Sequence, residues 1–562
     1  MALKPAISRP TRTSKKKPYA RWVALRKTAQ LLALTAFLVL FVAARRGGWP
    51  ADLVNFPMRL DPLLAIAAWI SSREILRGTL LCMVLVLLAL ATGRGWCGWL
   101  CPLGTVLDFL TPKRRRPVKG TSPGSRQTLT VNGWDGGKRE GWRAIKYGLA
   151  LAILFLALSG NLSLLALDPL TIFFRTLSVG LWPLADAGIM ALEMLFLRVP
   201  VLSAPTEALD ALLRPAILPA EPENFRYGWL LVGLFAGIIG LNWVAPRFWC
   251  RYLCPLGGLL GWISKAALVR RTTTDECTGC GLCAPSCPLG CIYPDKNHVS
   301  EVSECTLCLE CLDACPSSRI KVQARPGASQ APRPAVMSRK EALLGLGAAG
   351  IAAATFRLEQ EYLPASDYRL RPPGAQEAEF ISRCIRCGQC VRACPTTALQ
   401  PSIVEAGLEG LFTPILVPRL GYCDYSCIAC SAACPTGAIP KMDLQTKRQQ
   451  VIGVAVIQED RCLAWAENKE CIVCEEMCPL PEKAIYLETR AVVDPGGIER
   501  NQLLPHVVHQ RCIGCGICEY QCPVNGEAAI RVAVAETGRG WRWRGGQPKG
   551  RRRSKRSALE PQ

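Results

Sequence analysis

Two cysteine runs with the spacing C-x2-C-x2-C-x3-C-P constrain this chain more than any other feature. They are Cys277, Cys280, Cys283 and Cys287-Pro288, then Cys305, Cys308, Cys311 and Cys315-Pro316. Three thiolates so closely spaced wrap one [4Fe–4S] cube, while the fourth reaches across to a neighbouring cube. The proline ends the loop and turns the chain away. A structural zinc site needs one pair of C-x2-C knuckles and no fourth Cys-Pro, so the doubled run points to iron–sulfur cubes rather than zinc.

Four more quartets lie between residues 380 and 530. Cys384, Cys387, Cys390, Cys394 and Cys512, Cys515, Cys518, Cys522 keep the same spacing. Cys423, Cys427, Cys430, Cys434 carry one extra residue, and in Cys462, Cys471, Cys474, Cys478 eight residues separate the first two. Pro395, Pro435, Pro479 and Pro523 follow the fourth cysteines. Six quartets imply six [4Fe–4S] clusters held by these cysteines. Within the last four, the two regular motifs are expected to pair with each other and the two irregular ones likewise. Sequential pairing is the alternative.

The 30 cysteines fall in ligand runs rather than in the short secreted pattern of a disulfide scaffold. The three histidines (His298, His506, His509) lie outside the long apolar stretches, and no C-x-x-C-H occurs, so nothing calls for haem. Flavin and NAD are not expected either. The net charge of +23 sits largely beside apolar segments, which fits a membrane protein better than a nucleic-acid binder.

Apolar runs cover Leu31 to Ala44, Thr79 to Gly93, about Ala144 to Leu167, and Trp229 to Ala245. Several are at or below the length needed to span a bilayer, so flanking residues must extend them. No small-residue cleavage site precedes Arg45-Arg46, so the first run reads as a span rather than a signal peptide. The region repeats. Each half has an apolar run, then Asp61-Pro62-Leu63 or Asp168-Pro169-Leu170, then an apolar run closed by C-x3-C-P-L-G (Cys97, Cys101 or Cys250, Cys254). The interval from Asp to Cys is 36 residues in the first half and 82 in the second, where the surplus contains Leu177 to Leu197.

The basic N-terminus, the Pro102 to Lys146 loop and the segment after Cys250 should all face the cytoplasm. That gives four crossings, with Leu177 to Leu197 at the outer interface. The expected fold is an α-helical membrane domain of about four transmembrane helices with an internal repeat, plus α+β ferredoxin-like [4Fe–4S] modules. Brought together by the repeat, Cys97, Cys101, Cys250 and Cys254 would form one more cluster site or a redox-active pair; the plainer reading is small packing residues. Cys82 and Cys291 have no ligand spacing and read as buried packing residues.

Four crossings, two C-x3-C-P motifs and a trailing double-cube module resemble NapH, the membrane quinol-dehydrogenase subunit serving periplasmic nitrate reductase, over about residues 25 to 325. The nitrous-oxide reductase regulatory protein and the cytochrome-oxidase assembly ferredoxin share C-x3-C-P. The longer second half and the Lys113 to Arg143 loop depart from NapH.

Lys321 to Pro334 reads as a linker. Ser338-Arg-Lys-Glu-Ala-Leu-Leu-Gly345 then resembles a twin-arginine signal with Lys340 at its second basic position, followed by a charge-free stretch, Ala342 to Phe356. This stretch is expected to be an export signal or a membrane anchor, with a soluble helix as the alternative; Ala352 to Ala354 offers a cleavage tract. Gly345, Gly347 and Gly350 match a dinucleotide fingerprint, but no strand precedes them. Such a signal plus four ferredoxin motifs resembles NapG, so the chain reads as a fusion of NapH-like and NapG-like parts.

The domain reading is 1–28 basic cytoplasmic N-terminus, 29–270 transmembrane domain, 271–325 double-[4Fe–4S] ferredoxin, 326–372 linker with signal or anchor helix, 373–532 four-cluster polyferredoxin and 533–562 basic tail. The tail reads as a solvated segment, or one docking to acidic lipid or an acidic redox partner. No hydrolytic or transferase site is expected.

The function expected is a membrane electron conduit, passing electrons from the quinol pool through cubes to a terminal reductase or cytochrome. Asp61 and Asp168 are candidate proton acceptors there, with helix N-capping as their plainer role. The alternative is a maturation or regulatory factor that reduces copper or a disulfide through the C-x3-C pairs. The site is the inner membrane, with the first ferredoxin module cytoplasmic and the four-cluster domain on the outer side.

Overall fold

The computed structural model describes residues 20–46, 49–111, 140–219, 223–274, 276–293, 298–324, 339–362, 369–493 and 499–534. The first nineteen residues, most of the Lys113 to Arg143 loop, residues 325–334 of the expected linker and the basic tail lie outside the described residues; Lys321 to Ala324, expected as linker, form a strand instead.

A helical domain is built on α1 (Ala20–Arg46), α2 (Pro62–Ser72), α3 (Cys82–Thr92), α4 (Gly95–Trp99) and α5 (Pro102–Leu110). The second half continues with α6 (Arg143–Leu158), α7 (Pro169–Thr176), α8 (Trp182–Leu197), α9 (Pro200–Ala216), α10 (Gly228–Val244) and α11 (Pro255–Ser264). By length and composition two helices suffice to cross a membrane, Arg21–Arg45 and Pro169–Leu197; α2, α3 and α10 are shorter apolar helices. The apolar run expected to extend to Leu167 stops as a helix at Leu158, because Gly160 takes a positive φ and turns the chain. Pro183 does not break the Leu177 to Leu197 segment, because it lies at the start of α8, after a π-helical turn joins α7 to that helix.

The internal repeat is visible in the helix starts. Asp61 and Asp168 cap α2 and α7, accepting N–H groups of Leu63 and Leu64 (2.8 and 3.2 Å) and of Leu170 and Thr171 (2.9 and 3.3 Å). Proline follows each, where a helix needs no N–H donor.

Opposite ends of α1 meet different partners. Near its start, Arg26 donates to Glu310 of the first ferredoxin module (2.6 Å). Near its end, Arg45 donates to the carbonyl of Pro395 in the four-quartet domain (3.3 Å). Its 27 residues make a rod of about 40 Å between the two. The connecting helix α12 (Arg339–Tyr362) lies along α6. Gly345, Gly347 and Gly350 fall inside α12, so no strand–turn–helix for a dinucleotide forms there.

The first module sits on a buried charge cluster. Glu304 accepts from Arg94 Nη1 (3.0 Å), Tyr147 Oη (2.7 Å) and Lys146 Nζ. Burial alone would push the Glu304 carboxyl up, but Lys146, Arg94 and Arg143 overcome it and hold it at about 2. Beside it, Asp108 pairs with Arg247 and with Arg26 (3.0 Å). Backbone contact completes the joint: a Cβ on Gly98 would stand 2.3 Å from the carbonyl of Thr306.

The four-quartet domain sits on the other end. Arg175 donates to the carbonyl of Arg386 (3.2 Å) and lies over the Phe412 ring (3.9 Å). Arg392 pairs with Glu223 (3.1 Å), and Ser163 donates to the carbonyl of Glu409 (3.0 Å).

The cluster around Glu304 yields a stability test. Glu304→Gln removes the one anion facing three buried donors and should cost about 3–5 kcal/mol in denaturant unfolding. Glu527→Gln, which breaks an exposed pair with Arg461, should cost less than about 1 kcal/mol.

Candidate iron–sulfur and redox sites

Each ferredoxin module folds one motif back on its neighbour with an antiparallel pair of strands. In the first, β1 (Val269–Thr273) and β2 (Ile320–Ala324) bracket both motifs and pair with each other. In the four-quartet domain, β3 (Leu399–Pro401) pairs with β4 (Pro414–Leu416) between the first two motifs. The pair β5 (Val454–Ile457) and β8 (Ile530–Ala533) brackets the last two, and the hairpin of β6 (Ile485–Val493) and β7 (Glu499–Val507) lies between them.

The cavities follow this plan. Cys287 closes a cavity with Cys305, Cys308 and Cys311. Cys394 closes one with Cys423, Cys427 and Cys430. Cys522 joins Cys462, Cys471 and Cys474, and reciprocally Cys478 joins Cys512, Cys515 and Cys518. Cys384, Cys387 and Cys390 are neighbours of Cys434. Cys277, Cys280 and Cys283 lie together, and the same reciprocity assigns Cys315 to them. Pairing in the four-quartet domain is therefore sequential, which corrects the expectation that regular motifs pair with regular ones. The hairpins after each odd motif decide it, because they return the next motif to its predecessor. The irregular spacing is absorbed locally: part of the extra segment between Cys462 and Cys471 forms a helical turn, Leu463–Ala466.

These sites fit cubes. Among the described residues no three His, Cys, Asp or Glu side chains close around a single metal ion, as a zinc knuckle would require. Burial pushes the Cys308 thiol up to about 11 and the Cys423 thiol up to about 12. Such thiols ionise at neutral pH only when iron places positive charge among them.

Cys291 is not a remote packing residue. It lines the cavity of Cys287, Cys305, Cys308 and Cys311, with its Sγ 3.5 Å from that of Cys287. The turn at Pro288 to Gly290 folds it back, which its spacing does not reveal. Cys82 is fully buried in α3.

The repeat brings Cys97, Cys101, Cys250 and Cys254 into one buried group, each 5–7% exposed. Cys101 and Cys254 lie within electrostatic reach of both Cys97 and Cys250. The two halves match in detail. Cys101 Sγ accepts the N–H of Gly104 (3.4 Å), and Cys254 Sγ accepts that of Gly257 (3.2 Å). The glycines of C-P-L-G are needed: a Cβ at Gly257 would stand 2.5 Å from Arg94 Nη2, and one at Gly104 2.9 Å from the carbonyl of Cys97. Arg94 and Arg247, each three residues before the first cysteine of its motif, are fully buried beside the group. Each guanidinium is also paired with a carboxylate, Arg94 with Glu304 and Arg247 with Asp108, so both tie the four-cysteine group to a buried ion pair. Sequence reading missed these arginines, although their matched offset was there to see.

Asp61 and Asp168 are both fully buried, and their carboxyls meet each other across the repeat. That contact is a hydrogen bond only when one of them carries a proton.

The comparisons with known proteins bear on these sites directly. The 4Fe–4S binding domain family matches residues 76–119 and 227–273, the two segments that carry C-x3-C-P, and also 272–293 and 509–525. A 4Fe–4S dicluster domain family matches 297–395, a stretch whose two motifs the structure places at opposite ends of the helical domain. The methylamine utilization ferredoxin-type protein MauM of Methylorubrum extorquens is 38% identical over 229 residues, which cover 39% of this chain and 98% of the relative. The ferredoxin-type protein NapG of Escherichia coli is 36% identical over 199 residues, covering 35% of this chain and 82% of the relative. The chain belongs to the MauM/NapG ferredoxin-type family. It is an iron–sulfur electron-transfer protein with multiple 4Fe–4S domains. No solved structure matches it.

The shared cavities make ligand loss non-additive. Cys522→Ser and Cys462→Ser should each remove the same cube, so the double variant should lose about four irons, as each single does. Cys522→Ser with Cys384→Ser should lose about eight. Iron content per chain, with electron paramagnetic resonance of the reduced protein, checks this.

Proposed function

We propose that the chain is a membrane-bound conduit that takes electrons from quinol at its helical domain and passes them to a partner reductase. In this reading a NapH-like half and a NapG-like half are fused. The observation that carries it is the placement of a four-cysteine group inside the helical domain, between ferredoxin modules docked on its two ends. Six cubes, with a seventh at Cys97, Cys101, Cys250 and Cys254, would supply one-electron carriage. The chain's residues do the rest. Arg94 and Arg247, each paired with a carboxylate, lie beside the four cysteines, and the N–H groups of Gly104 and Gly257 stabilise the sulfurs of Cys101 and Cys254.

Orientation follows from charge. Arg143 and Lys146, at the start of α6, contact the first module, which is on the cytoplasmic side in this reading. The four-quartet domain is then on the outer face, and α12 crosses between them. The burial of the C-x3-C cysteines also weighs against a maturation factor acting through them: thiols so enclosed are poorly placed to attack a copper complex or a disulfide on another protein.

Two measurements test the proposal. Reduced menaquinol analogue added to membranes should bleach the cluster absorbance near ~400 nm, whereas unchanged absorbance would remove the quinol role. Membrane-impermeant thiol labelling of intact cells should reach a cysteine introduced at Val451 and spare one introduced at Leu282. The reverse pattern would invert the topology.

A further inference from the structure

We infer that the cavity walled by Trp22, Trp96 and Trp99 binds the ring of a prenylated quinone; this rests on the quinol reading above and gives it a place. The cavity measures about 680 Å³, within the roughly 300–1,000 Å³ usual for small-molecule sites. It lies where the helical domain meets the first ferredoxin module, with one wall from α3 and α4 and the other from the loop around Cys308.

Its chemistry suits a quinone better than a polar metabolite. Indole walls offer flat faces for an aromatic ring, and tryptophan is favoured where lipid meets water. Trp99 is fixed as a wall, because its Nε1–H is given to the carbonyl of Leu307 (3.1 Å). Trp96 presents its ring to the cavity, while its Nε1–H is enclosed by protein and turned away from the open space. Lys321 and Gln323 supply polar groups at the ferredoxin rim.

The surroundings match a lipid-soluble ligand. Leu88 lines the cavity, Val84, one turn back on the same face of α3, is 55% exposed, and Leu80, in the turn before that helix, is 47% exposed. That strip gives an isoprenoid tail an apolar track leading out of the cavity. The location is also right for electron exit. Trp96 adjoins Cys97 of the buried four-cysteine group, and Leu307 and Leu309 flank Cys308 of the cube cavity. Asp61 and Asp168 do not line the cavity; their place is at the starts of α2 and α7.

The test uses the full chain in lipid nanodiscs with a photoreactive azido-menaquinone, and mass spectrometry of the labelled peptides. Label is expected on the peptides holding Trp96 to Leu100 and Leu307 to Leu312. Leu88→Trp, which fills the cavity, should reduce labelling about tenfold. Gln323→Leu, which keeps the bulk of the rim and removes a polar group that lines the cavity, should reduce it about fivefold, the loss of one hydrogen bond. Iron per chain, measured alongside, should stay at the wild-type value in both variants; a variant that loses iron is replaced by Thr92→Trp, which fills the cavity from its other edge. Label found elsewhere, or unchanged by these substitutions while menaquinol still bleaches the clusters, overturns the cavity and leaves the quinol reading standing. Absence of both labelling and bleaching overturns the two together.

Discussion

Among the described residues, the ferredoxin cavities and the buried four-cysteine group of the helical domain draw thiols from two separate parts of the chain, and the fold is arranged to deliver them. In the ferredoxin modules three cysteines come from one loop and the fourth from its neighbour. In the helical domain two come from each half of the repeat. A site divided in this way ties its two contributors into one cooperative unit, since neither loop satisfies a cube alone.

The same logic shapes the joints. The first module is held by enclosed charges (Arg94 and Lys146 on Glu304, Arg26 and Arg247 on Asp108) set beside an apolar face continuous with the helical core. Buried pairs of this kind add little net stability over apolar packing but fix a single arrangement, because any shift strands a charge. That rigidity suits a protein in which the C-x3-C-P loop of α4 must stay against the loop around Thr306. The cavity beside Trp96 occupies an edge of this joint where indoles form much of the wall and Lys321 stands at the rim.

The four-quartet domain has an enclosed pair too, Arg392 on Glu223, and adds cations that reach backbone carbonyls and aromatic rings. Arg175 touches Arg386 and Phe412, and Arg392 lies over Phe41 and Trp182. Guanidinium groups serve here because they spread charge over a plane and make several contacts at once. Cys387 belongs to the same continuous core as Cys101 and Cys254, so the apolar interior runs unbroken from one ferredoxin module to the other.

The amino-acid sequence by itself determined the local chemistry. Cysteine spacing named the cube loops, Asp-Pro named the starts of α2 and α7, and the doubled C-x3-C-P-L-G revealed the repeat, because each is satisfied within a few residues of chain. What only the tertiary structure decided depends on closing long loops. It set the sequential pairing of the four quartets, the meeting of Cys97 and Cys101 with Cys250 and Cys254, the return of Cys291 to a cube cavity, and the seating of two ferredoxin modules on opposite ends of α1. No spacing rule reaches that far, since loop closure is governed by which distant surfaces bury each other and not by the order of residues within a motif.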